Sequence, residues 1–148
     1  MNISISSDHR GYRAKQRIVE MLRNAKHQVD DCGCDSAESC DYPDMAKIAA
    51  GRVSKGESDR AILICGTGLG MSIAANKLRG VRAALCHDEL TAQLSRKHND
   101  ANVLCLPADL IGDQLIFLII NSWLETKFEG GRHARRIEKI HAIEEDDC

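Results

Sequence analysis

Aromatic residues make up only 3% of this 148-residue chain. That scarcity excludes base-stacking platforms as a main binding device. Charge of one sign is lacking too. The formal net charge is −2 and the pI about 6.3, so bulk attraction to nucleic acid or an anionic membrane is not expected. Long hydrophobic runs are missing. The longest apolar block is Leu115–Ile120, far short of the roughly 20 residues of a membrane span. The first residues, Met-Asn-Ile-Ser-Ile-Ser-Ser-Asp, hold no basic stretch followed by an apolar one. No export signal is expected, and the expected location is the cytoplasm.

Cysteine, by contrast, is plentiful: there are 7. The number is odd and no export signal accompanies it, so reduced thiols are expected. Cys86 and Cys105 sit in apolar runs and read as small core residues. Cys32-x-Cys34 with Cys40 lacks the second pair of a zinc ribbon and a clear fourth ligand. No metal is expected.

Short apolar runs alternate with helical patterns along the whole chain. Strands are expected at Ile3–Ser6, His27–Asp31, Ala61–Cys65, Arg82–Cys86 and Asn102–Leu106. Helices are expected at Arg13–Ala25, Asp44–Ser54, Met71–Leu78, Glu89–Lys97, Asp113–Leu124 and Arg132–Ile143, before an acidic, frayed tail Glu144–Cys148. Asp113–Leu124 is apolar almost all round, so full burial is expected, as at a subunit contact. Repeated strand–helix units imply an α/β fold with a parallel sheet of about five strands. No linker or repeat interrupts the chain, so residues 1–148 read as one domain. Ligands of such sheets bind beyond the carboxyl ends of the strands. That rule selects Ser7-Asp8-His9-Arg10-Gly11, Cys65–Gly70, His87-Asp88 and the turn after Leu106.

Cys65-Gly66-Thr67-Gly68-Leu69-Gly70 follows the most apolar strand and opens a helix. A dinucleotide fingerprint would need a third glycine where Met71 stands. A P-loop would need Gly-Lys-Ser/Thr, which is missing. Two readings remain: a tight strand-to-helix turn, or a cradle of backbone N–H groups for negative charge on a substrate oxygen, with Thr67 adding a hydroxyl. Cys65 is either a core residue or a reactive thiol, since a helix start favours the thiolate. Asp8 and its neighbours are a helix cap or a polar cluster in which His9 and Arg10 bind phosphate. His98-Asn99-Asp100 is a turn or a functional segment. Because it precedes a strand, it lies toward the wrong edge of its own sheet, and service to a neighbouring subunit would explain it. Arg132 and Arg136 share a helical face, either as a solvated basic face or as a phosphate clamp.

In order along the chain, these segments resemble the type B ribose-5-phosphate isomerases and the related galactose-6-phosphate isomerase subunits. The resemblance rests on Ser7-Asp8-His9-x-Gly11, Asp41-Tyr42-Pro43-Asp44, Cys65-Gly66-Thr67-Gly68-x-Gly70 and Ser72–Lys77. It continues through Ser95-Arg96-x-His98-Asn99-Asp100-x-Asn102-Val103-Leu104 and Glu129-Gly130-Gly131-Arg132-His133. It implies a Rossmann-like three-layer α/β/α sandwich, with the C-terminal helix contacting a partner subunit. A homodimer or tetramer would share its active sites between subunits.

The implied reaction is interconversion of ribose 5-phosphate and ribulose 5-phosphate through a cis-enediolate, with no metal or cofactor. Cys65 would be the general base, Thr67 and the amides of Gly66, Gly68, Leu69 and Gly70 the enediolate cradle, and Asn99 an orienting group. His98 would open the sugar ring, near Asp8. His9, Arg132 and Arg136 would hold the phosphate. One departure stands out. The family often has an arginine where this chain has Asp109, and Arg10 is the residue placed to compensate. Alternatives are an isomerase of a hexose 6-phosphate or tetrose 4-phosphate, a sugar-phosphate sensor without turnover, or a non-catalytic subunit.

Overall fold

A computed structural model describes residues 1–146. Five parallel strands form one sheet in the order β2-β1-β3-β5-β4. They are β1 (Asn2–Ser7), β2 (Gln28–Asp31), β3 (Arg60–Cys65), β4 (Ala83–Leu85) and β5 (Val103–Pro107). The helices are α1 (Tyr12–Asn24), α2 (Tyr42–Ser54), α3 (Leu69–Ala75), α4 (Glu89–Asn99), α5 (Asp113–Glu125) and α6 (Arg132–Asp146). The α/β fold with a five-stranded parallel sheet expected from the alternation is therefore present, as is the Rossmann-like architecture that the resemblance implied.

Strand β3 shows why the apolar runs are continuous. Ile62 and Ile64 enter one core with Ile18, Leu22, Leu104, Ile120 and Trp123. Ala61, Leu63 and Cys65 enter the other with Ala46, Ala49, Met71 and Cys105. Alternate side chains point to opposite faces, and helices cover both, so neither face tolerates a polar period. Cys86 and Cys105 are buried core thiols, as expected.

Several expected boundaries move. Helix α3 starts at Leu69 rather than Met71 because Gly68, at φ 74°, already turns the chain. Helix α6 runs on to Asp146 instead of fraying at Glu144. The Glu144 carboxylate accepts from the Gly80 amide, which ties that end down. The remainder of the expected tail, Asp147 and Cys148, lies outside the described residues. Within the single chain, helix α5 is not buried all round. Ile116, Ile119, Ile120 and Trp123 face the core, while Leu118 is 50% exposed. Among the described residues, no helix is long and apolar enough to cross a membrane.

Replacing Leu63, fully buried in the central strand, by Ala leaves a cavity between β3 and its covering helices. The expected loss is about 2–5 kcal/mol, against less than about 1 kcal/mol for exposed Leu118→Ala. Urea melts of the two variants check the difference.

Candidate active site

The strand order changes direction between β1 and β3, since β2 lies outside β1 while β5 and β4 follow β3. Loops leaving the carboxyl ends of such a pair diverge and open a crevice. The β1 loop carries Asp8, His9 and Arg10, and the β3 loop carries Cys65 to Gly70. They are tied at their base, because the Asp8 amide donates to the Ile64 carbonyl at 3.1 Å.

Cys65 ends β3 at 5% exposure, and its Sγ accepts a hydrogen bond from the Gly68 amide at 3.1 Å. The sulfur is thus held against the loop that turns into α3. Gly68 has φ 74°, and a Cβ there would strike the Leu85 side chain and the Leu106 backbone. Only glycine accommodates both demands. Thr67 is exposed, and its Oγ1 accepts from the Leu69 amide at 3.3 Å. The first-turn amides of α3 have no intrahelical acceptor. Leu69 is 57% exposed there.

Asp8 is buried, and its Oδ1 accepts from the amides of Arg10 and Gly11 at 2.9 and 3.1 Å. It closes the turn that leads into α1 but does not cap the helix, whose N-cap is Gly11 with no side-chain cap bond, so the capping expectation is not met. Asp109, itself exposed, meets Arg10. The Arg10 Nε to Asp109 Oδ2 distance is 2.5 Å, and the pair lies over Gly66. The Asp109 charge is therefore balanced locally. The Asp109 amide also donates to the Gly66 carbonyl at 3.0 Å, which joins the β5 turn to the cradle.

His98 and Asn99 lie elsewhere. They end α4, which runs back antiparallel to the strands. Asn102 just beyond them bonds to Ala61 and Arg82, at the amino ends of the sheet. Strands of this length separate the two sheet edges by roughly 15–20 Å. Arg82 and Arg96 both grip Asp100, a left-handed residue at φ 45°, and so fix the end of α4. The His98 ring stacks on His133 with centroids 4.3 Å apart and planes within 9°. The Glu129 Oε2 lies 4.0 Å from His98 Nε2 and 3.8 Å from His133 Nε2. Arg132 and Arg136 are exposed one turn apart on α6 beside this cluster.

The sequence profile of the Ribose/Galactose Isomerase family matches residues 3–140. The chain belongs to that family. It is 47% identical over 143 residues to ribose-5-phosphate isomerase B of Escherichia coli K12, covering 97% of this chain and 96% of that one. The solved ribose-5-phosphate isomerase B of Clostridium thermocellum superposes with a TM-score of 0.99 at 48% identity, over the full length of both chains. The Mycoplasma genitalium ribose-5-phosphate isomerase B, solved with bound ribulose-5-phosphate, gives a TM-score of 0.95 at 46% identity. That match covers 97% of this chain and 96% of the other.

In this isomerase-family chain the expected site residues form two groups. Asp8, His9, Cys65, Gly66, Thr67, Gly68, Leu69 and Gly70 gather at the carboxyl ends of β1 and β3. His98, Asn99, Arg132 and Arg136 gather at the amino end, and no single chain brings the two groups together. Asp88, at another strand end the sheet rule selects, caps α4 by accepting from the Thr91 amide at 2.7 Å. Two side chains in contact with these residues escaped sequence reasoning. The Tyr42 ring packs on Gly70, and His133 stacks on His98. Both stand in the motifs that carry the family resemblance, which was the only signal available for them.

His98, Glu129 and His133 are ligand types within 4.8 Å of one another. Their geometry does not suit one metal ion. A shared ion must lie in both imidazole planes, and nearly parallel stacked planes have no such common point nearby. The cluster suits protons better. Burial lowers the His133 pKa from its ordinary value, and nearby His98, Arg132 and Arg136 lower it further against an opposing Glu129. The folded protein therefore prefers neutral His133. Any stability this contributes is present above the ordinary imidazole range and is lost as pH falls through it toward the lowered folded value. In NMR titrations His133 is expected to protonate at lower pH than a free histidine, and Glu129→Gln to move it lower still.

Proposed function

We propose that the chain interconverts ribose 5-phosphate and ribulose 5-phosphate, working in the cytoplasm as one isomerase domain within a homodimer or larger assembly. The observation that carries this reading is Cys65 Sγ held 3.1 Å from the Gly68 amide at the carboxyl end of β3, beside the switch point of the sheet. It is supported by the close likeness to ribose-5-phosphate isomerases B, including the one solved with ribulose-5-phosphate.

Aldose–ketose isomerisation needs a base that moves a proton between C2 and C1 while negative charge collects on oxygen. Cys65 supplies the base, with its thiolate taking the C2 proton and returning it to C1. The amides of Gly66, Gly68, Leu69 and Gly70 with the Thr67 hydroxyl are assigned to the oxygen that becomes an enediolate, the Gly68 and Leu69 amides exchanging their resting acceptors, Cys65 Sγ and Thr67 Oγ1, for it. The ring must open first. His98 does this from a second subunit, with Asp8 nearby, and Asn99 orients the opened sugar. His9 holds the phosphate together with Arg132 and Arg136 of that second subunit, and the anchored phosphate restrains the chain. No metal or cofactor takes part in this scheme.

A second copy is needed because the two residue groups lie at opposite sheet edges. Leu69 and Ile73, 57% and 64% exposed beside the Cys65 loop, are apolar surface that such a copy covers. Ile140 and Ile143 on α6 are similarly bare at 40% and 63%. The C-terminal helix is thereby assigned the partner contact.

Cys65→Ala is expected to lower kcat by about 10²–10⁴-fold, the usual worth of a general base, while ribose 5-phosphate still binds within a few-fold. Turnover within tenfold of the parent would remove Cys65 from that role. Arg10→Ala uncovers the Asp109 carboxylate near the phosphate. Because the pair is largely exposed, a rise in KM of roughly three- to tenfold is expected with little change in kcat. Steady-state kinetics with ribose 5-phosphate, allose 6-phosphate and erythrose 4-phosphate check both variants and the sugar preference.

A further inference from the structure

The reaction above uses none of the three cysteines between β2 and α2. Two of them meet: Cys34 Sγ and Cys40 Sγ are 3.4 Å apart. Both are partly accessible. Cys34 sits at φ 45°, and its thiol donates to the Ser36 carbonyl at 2.8 Å, so the segment doubles back on itself. Its two ends are anchored. At the start, the Gly33 backbone lies so close to Ser6 and Met45 that no Cβ would fit. At the finish, the Cys40 amide donates to His9 Nδ1 at 3.4 Å. That bond leaves Nδ1 as the acceptor, so the neutral ring carries its proton on Nε2. The thiol pair therefore spans a segment fixed to the end of β1 on one side and to a phosphate-binding histidine on the other.

We propose that Cys34 and Cys40 are a reversible redox pair that exchanges with small-molecule disulfides, and that forming their disulfide weakens phosphate binding through His9. The second half of this proposal rests on the role given to His9 above. In the exchange, the Cys34 thiolate attacks one sulfur of the oxidant disulfide. A mixed disulfide forms, and one thiolate leaves and takes up a proton. Cys40 then loses its proton to solvent and attacks the Cys34 sulfur, which expels the second thiolate. Two cysteine thiols lose two electrons, and the oxidant disulfide becomes two thiols. Burial and the adjacent Cys34 push Cys40 up to about 11, which suits it to the second, resolving step. Closing the bond draws the sulfurs from 3.4 Å to about 2.05 Å. This pulls the Cys40 amide, already at long range, away from His9.

The test equilibrates the full chain with glutathione buffers from fully reduced to fully oxidised, blocks free thiols in acid, and maps peptides by mass. A peptide joining Cys34 to Cys40, lighter by two hydrogens and reopened by dithiothreitol, is expected. Calorimetry with inorganic phosphate should show affinity falling roughly threefold on oxidation, the scale of one altered hydrogen bond. Cys34→Ser should lose that redox response. Glutathione carried singly on either cysteine with no joined peptide overturns the pair. A joined peptide with unchanged phosphate affinity overturns the link to His9. A joined peptide in a protein that isomerises no sugar in either redox state would sink the isomerase reading and leave the redox pair standing.

Discussion

Everything at the candidate site depends on how β3 ends. This strand is bonded to β1 on one side and β5 on the other, and both its faces are covered by core. Nothing along it can shift without breaking two ladders. Cys65, its last residue, is therefore delivered to one place with little freedom. The next residues must turn at once, because Leu85 and Leu106 close the space ahead. Gly68 makes that turn in a left-handed conformation and sends its amide back onto the sulfur. A rigid strand followed by a forced turn aligns a thiol with peptide dipoles, and this alignment is the chemical capacity of the fold.

The same geometry divides the remaining groups. In a parallel α/β sheet each helix returns the chain to the starting edge, so residues at helix ends oppose residues at strand ends. His98 and Asn99 finish α4, and Glu129 approaches Lys97 there through its backbone amide. Arg132 and Arg136 open α6 at that edge. The imidazole proposed to open the ring and the thiol proposed to move the proton stand on opposite edges, and they meet only when two chains lie against each other. Assembly is then a requirement of the proposed chemistry. The apolar side chains left bare beside the Cys65 loop and along α6 are consistent with it.

Charge is balanced locally at the carboxyl edge. The Asp109 carboxylate would oppose a phosphate dianion if it stood alone, but Arg10 lies against it over Gly66. At the other edge, Glu129 faces two stacked imidazoles among exposed arginines. At the carboxyl edge the two opposite charges limit each other's reach.

Much of the fold was legible in the linear chain. The apolar blocks Ala61–Cys65 and Asn102–Leu106 declared buried parallel strands, since only a strand covered on both faces lacks a polar period. The glycines after Cys65 announced a backbone turn, and the ordered motifs from Ser7 to Arg136 announced the family. Burial inside α5 and the length of α6 were less legible, because both turn on contacts with distant segments. The partnership of Arg10 with Asp109 joins residues 99 positions apart, and no local pattern encodes such a pairing. The same holds for His98 on His133 and for Cys34 on Cys40. By itself, the order of residues determined which elements form and which chemical groups stand at their ends, because these follow from side-chain period and backbone freedom over a few neighbours. Only the tertiary structure decided which ends share an edge of the sheet, because that depends on strand order and on close contacts between segments far apart in the chain.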